Sequence, residues 1–176
     1  ESERAIERAQ QALKDAPWLY EAWGLIGDVY MQRGFALYER AQTEPADKEF
    51  AAAADAFAEA SRIGQSDAEI FESLTDAWRQ RTAVAKDLSR PMDGPYQAAL
   101  AASDKILISA PGSLAGPLKK AYAMYWRILG PEPDEVLAVI GQGCVEQVEK
   151  VLKLAPEHPY ATNVWASCLS VVGKGE

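Results

Sequence analysis

A chain of 176 residues, 48% hydrophobic and 25% charged, carries enough apolar material to bury a core. Its net charge of −8 weighs against nucleic acid and against anionic membrane surfaces, because both need clustered Lys and Arg. No apolar run approaches the ~20 residues that span a bilayer, and two cysteines with one histidine cannot supply the about four ligands of a structural zinc.

Alanine-rich runs such as Ala51-Ala52-Ala53-Ala54 favour helix, and β-branched runs at strand spacing are nearly absent. The predicted fold class is all-α: stacked antiparallel helix–turn–helix repeats with long helices, in one domain over 1–176. The ten prolines act as punctuation between segments of helical periodicity. In chain order these segments are 2–15, 18–41, 46–63, 67–87, 95–109, 114–129, 133–154 and 159–172.

Three of them close on related strings: Ala12-Leu13-Lys14-Asp15-Ala16-Pro17, Ile106-Leu107-Ile108-Ser109-Ala110-Pro111 and Val151-Leu152-Lys153-Leu154-Ala155-Pro156. Ala60-Ser61-Arg62-Ile63-Gly64-Gln65 fits the same frame. The anchors Pro17, Gln65, Pro111 and Pro156 lie 48, 46 and 45 residues apart. Twelve residues before each stand Ala5, Ala53, Ala99 and Cys144, all small. Ten after stand Gly27, Thr75, Ala121 and Ala166, again small, and thirteen after stand the large Tyr30, Trp78, Met124 and Leu169. Small residues at fixed sites let helices approach, and large ones fill the grooves between them. Each helix pair leaves an apolar face that stacking would cover.

The first-helix string Trp23-x-x-Ile26-Gly27-x-x-Tyr30 and the second-helix string Ala53-x-x-x-Phe57-x-x-Ala60 resemble the tetratricopeptide repeat. That family's repeat is about 34 residues long. The surplus here is expected between the helices of each unit, around Thr43–Glu49, Leu88–Tyr96 and Gly130–Glu135, and partly in longer helices. The lengthened form is similar to repeat regions that follow the kinase domain in large bacterial, notably myxobacterial, serine/threonine protein kinases. Ala16-Pro17-Trp18-Leu19-Tyr20-Glu21-Ala22 and Ile63-Gly64-Gln65-Ser66-Asp67 carry that likeness. The resemblance implies a protein-interaction scaffold, a docking or sensor region attached to such a kinase.

No catalytic residue, metal site or cofactor is expected. The chain has no glycine-rich phosphate loop, His-Arg-Asp or Asp-Phe-Gly, and no Gly-x-Ser-x-Gly elbow. His158, the lone histidine, falls in the turn Pro156-Glu157-His158-Pro159 and reads as a solvated turn residue. Gly141-Gln142-Gly143 reads as a kink or close contact within a helix. Cys144 and Cys168 read as small reduced core thiols. The expected compartment is cytoplasmic, with export as the alternative. A first residue other than Met, inside a helical pattern, reads as a piece of something longer, whose terminal helices should each expose an apolar stripe and favour self-association.

In the resembled family the first helices line a concave groove. Projected here, that face carries Glu21, Gly24, Asp28, Met31 and Gln32, then Glu69, Glu72, Asp76, Arg79 and Gln80, then Ala115, Leu118, Tyr122, Tyr125 and Trp126. The groove is expected to be acidic at one end and aromatic at the other. The candidate partner-binding residues are Asp28, Met31, Glu72, Asp76, Arg79, Tyr122, Tyr125 and Trp126, with core packing the competing reading for Tyr125 and Trp126. Core is the reading for Trp23, Tyr30 and Trp78. The expected partner is a protein or peptide segment, basic by preference of the acidic end. The family's carboxylate clamp needs Lys and Asn, and only Lys119 and Asn163 stand remotely near, so no clamp is expected. The alternatives are an exported repeat protein holding a small ligand and a purely structural, self-assembling solenoid segment.

Overall fold

The computed structural model describes residues 2–172. Eight helices follow one another: α1 Ser2–Asp15, α2 Tyr20–Tyr38, α3 Thr43–Ile63, α4 Ala68–Asp87, α5 Asp93–Ser109, α6 Ala115–Ile128, α7 Asp134–Leu154 and α8 Pro159–Val172. No strand occurs among the described residues. Each helix packs on the next, and α4 touches α6 as α6 touches α8, whereas α2 barely reaches α4. The outer helices α3, α5 and α7 do not touch one another. The array is therefore an all-α solenoid with α2, α4, α6 and α8 forming its inner layer.

The surplus length proves to be mostly helix. Thr43–Glu49 lies wholly inside α3, because Pro45 falls in the first turn, where its missing N–H costs nothing. Pro95 enters the first turn of α5 in the same way. The helix α2 stops sooner than periodicity suggests, at Tyr38 rather than residue 41, and α4 ends where expected, at Asp87. Ala41 and Ser89 take left-handed backbone at φ 58° and 54°. The Gln42 N–H then donates to the Leu37 carbonyl and the Arg90 N–H to the Ala85 carbonyl, closing each helix.

The register positions hold in three units. Ala53, Ala99 and Cys144 are fully buried, as are Thr75 and Ala121. A Cβ on Gly27 would stand 2.5 Å from the Phe57 ring, so only glycine admits that ring. Gly141 serves close packing: its Cβ would meet Val171 at 2.5 Å and the Cys168 carbonyl at 3.1 Å. Arg127 is buried and tied to Asp93 at 2.9 Å and to Glu132 at 2.7 Å, fastening the start of α5 to the α6–α7 turn.

Two expectations are corrected. Cys144 and Cys168 are core residues but not free thiols: they form a disulfide between α7 and α8, with Cα atoms 6.0 Å apart. Close contact of the two helices at Gly141 brings the two Cys positions into reach. The apolar stripe expected on α1 is also absent. Its outer face is Glu3, Arg4, Glu7, Arg8, Gln10, Gln11 and Lys14, while Ile6 and Ala9 turn inward.

A continuous groove along the inner layer

The sequence places α2 and α4 apart because Phe57 of α3 pushes between them, its ring against Gly27. The ring floors a cleft of about 280 Å³ whose wall includes Tyr20, Leu25 and Ile70. Glu21, Asp28, Asp67 and Glu69 rim it, and none forms an ion pair among the described residues. Asp67 also caps α4, accepting the Glu69 N–H at 2.9 Å. Desolvation against the cleft wall pushes the Asp28 carboxyl up from its ordinary value. A hydrogen bond to Asp67 pushes the Tyr20 phenol up.

A smaller depression of about 140 Å³ continues from Asp28, Met31 and Ser73 to Asp76. Asp76 is already engaged. It pairs with Arg79 at 3.4 Å and with Lys119 of α6. Beyond it Leu118, Lys119 and Tyr122 complete a depression of about 340 Å³ between α4 and α6. Burial is the main reason the Glu72 carboxyl is pushed up, with Asp76 and Glu69 adding to it and Lys119 opposing.

Tyr122 is also the near wall of the last cleft, which Tyr125, Tyr160, Asn163 and Ser167 close between α6 and α8. Tyr122 and Tyr125 are half-buried against the core while lining it, so core and cleft roles coincide in them. Burial pushes the Tyr122 phenol up. Trp126 instead meets the edge of Tyr125 at 5.8 Å and sits under the Lys86 ammonium, also 5.8 Å from its ring centroid. Its contacts are those of packing.

The eight candidates therefore divide. Asp28, Met31, Asp76, Arg79, Tyr122 and Tyr125 line linked depressions, with Glu72 beside Asp76 and Trp126 beside Tyr125. Gly24 and Gln80, projected onto the same face, are buried. The Phe57 floor was not legible in the sequence, because the ring reaches the inner groove from an outer helix through the space that Gly27 leaves. Tyr160, Asn163 and Ser167 stand outside the eight candidates, although the same offsets counted from Pro156 reach them. Among the described residues no group of three or more His, Cys, Asp or Glu is placed to hold a metal ion. Likewise no helix is long and apolar enough to cross a membrane. No protein-family model and no curated protein matches the chain.

Proposed function

We propose that the chain is a protein-interaction scaffold that takes an extended or helical segment of a partner protein along its inner layer. One observation carries this reading. The four depressions are joined by shared walls: Asp28, Phe57 and Ser73 join the first two, Asp76 joins the second and third, and Tyr122 the third and fourth. A groove that continues across four inner helices suits a polymer better than a small molecule, which prefers one enclosed cavity. The unpaired carboxylates at the α2–α4 end favour a basic stretch in the partner, and the tyrosines at the α6–α8 end supply the buried rings that dominate affinity. The likeness to bacterial kinase repeat regions makes a docking or sensor arm the specific form of this role.

Selection of peptides on the folded chain tests the reading. Tyr122→Ala with Tyr125→Ala is expected to weaken selected peptides by about 2 kcal/mol. Peptides that bind the outer faces of α3, α5 and α7, or that ignore both tyrosines, would refute it.

The Cys144–Cys168 disulfide favours a second placement of the same scaffold, in an oxidising compartment outside the cytosol. Alkylation and mass spectrometry of protein taken directly from its native cells check this. Two alkylated cysteines would return the chain to a reducing compartment.

A further inference from the structure

The two ends of the inner groove differ in hydrogen-bonding sense. At the α2–α4 end Glu21, Asp28 and Glu69 offer acceptors, and no cation pairs with them among the described residues. Tyr20 stands beside them in the wall. At the α6–α8 end the cleft of about 140 Å³ is lined by no charged side chain. Three phenols line it, Tyr122 and Tyr125 from α6 and Tyr160 from α8, with the Asn163 amide one turn beyond Tyr160. Neither these phenols nor that amide donates to a protein acceptor among the described residues. Tyr160 is 65% exposed, so its ring is open to a ligand. Between the two ends Arg79 and Lys119 share the Asp76 carboxylate.

Resting on the scaffold reading, we propose that the partner segment is proline-rich, with its prolines in the tyrosine cleft and an arginine in the α2–α4 cleft. Proline has no N–H, and a polyproline II segment makes no internal hydrogen bonds, so its carbonyls remain free acceptors. Phenol and amide donors without a carboxylate match that surplus, and the rings of an aromatic-lined groove take the pyrrolidine faces. A helix would instead need an apolar trough for residues at i, i+3, i+4 and i+7, which these phenols do not form. Arginine complements the opposite end, because it carries only donors and its planar head can lie on the Tyr20 ring. Arg79 and Lys119 repel a basic residue farther along, so charge complementarity fixes where the arginine sits. The fold also sets the spacing. Inner helices about 10 Å apart place the two clefts roughly 20 Å from each other, and polyproline II rises about 3.1 Å per residue, so about six residues separate the arginine from the prolines.

Fluorescence anisotropy of labelled peptides on the folded chain is the test. The first peptide carries an arginine about six residues from a Pro-x-x-Pro stretch, made in both chain directions because the spacing leaves direction open. In the second the prolines are alanine, and in the third the arginine stands next to the prolines. The first, in one direction, is expected to bind about tenfold tighter than the other two. Tyr160→Ala, at an exposed position, should remove the difference between the proline and alanine peptides with unchanged circular dichroism. Glu21→Gln with Glu69→Gln, both exposed, should weaken the first peptide and flatten its salt dependence. An alanine peptide that binds as tightly, or an arginine that moves without loss, would overturn the proposal and leave the scaffold reading standing. If none of the peptides binds and selection also yields none, both fall together.

Discussion

The α2–α4 and α4–α6 stretches of the inner groove are built on one register and differ at one outer-layer position. Eight residues before the anchor stands Phe57 in α3, whereas the equivalent in α5 is Ser103, fully buried. The phenyl ring wedges α2 from α4 and leaves an acidic cleft floored by an aromatic face. The serine leaves α4 and α6 in direct contact, and its hydroxyl donates to the Leu100 carbonyl at 2.7 Å. Groove width in this solenoid is thus set from behind, by the size of a side chain that no partner touches first. Glycine completes the arrangement: Gly27 accepts the ring that Thr75 and Ala121 would exclude.

Removing the wedge should give the largest effect. Phe57→Ala is expected to destabilise by about 3–5 kcal/mol, because a fully buried ring leaves a cavity. Ser103→Ala at the matching site should cost about 1 kcal/mol or less, the value of one hydrogen bond. Equal losses in urea titrations of the two variants would end the comparison. At the other end, Cys144→Ala with Cys168→Ala should cost about 3 kcal/mol for a closed loop of this length. Hydrogen exchange should then rise first in α8, with α1 to α4 unchanged. Gly27→Leu should overpack the Phe57 contact by about 1–3 kcal/mol. If it melts with the parent, Gly27 and Phe57 do not share the crossing described here.

The smallest effect is electrostatic. Desolvation pushes the Asp28 and Glu72 carboxyls up, so folding favours their protonated forms. Their contribution to stability is full below the unfolded value near pH ~4 and is lost as pH rises through the raised folded values. Asp28→Asn with Glu72→Gln removes that loss. The variant should melt slightly above the parent at neutral pH, by well under ~1 kcal/mol for groups this exposed, and level with it near pH ~4. A larger gain at low pH would reverse the assignment.

Much of this was legible in the residues themselves. Prolines and helical periodicity located all eight helices, and small residues at fixed offsets located the crossings. What stayed hidden depended on which way a helix face turned. Pro45 looks like a break and is a first-turn residue. Cys144 and Cys168 look like two more small core residues until the closeness allowed by Gly141 brings them together. Nothing in Ala41 or Ser89 marks them for left-handed backbone, a conformation usually left to glycine or asparagine. The acidic and tyrosine ends were visible as composition. The pairing of Asp76 with Lys119 was not, because it joins residues 43 apart.

The outer helices stand clear of one another while the inner ones, except α2 and α4, are in contact. Mechanically this is a strip with a joined inner skin and a slotted outer one. No backbone comes close across the outer side to brace the strip, and the inner skin is thinnest at the α2–α4 gap. Phe57 then acts as a pivot there. Curvature of the strip would therefore change the width of the cleft above Phe57 before that of the other depressions.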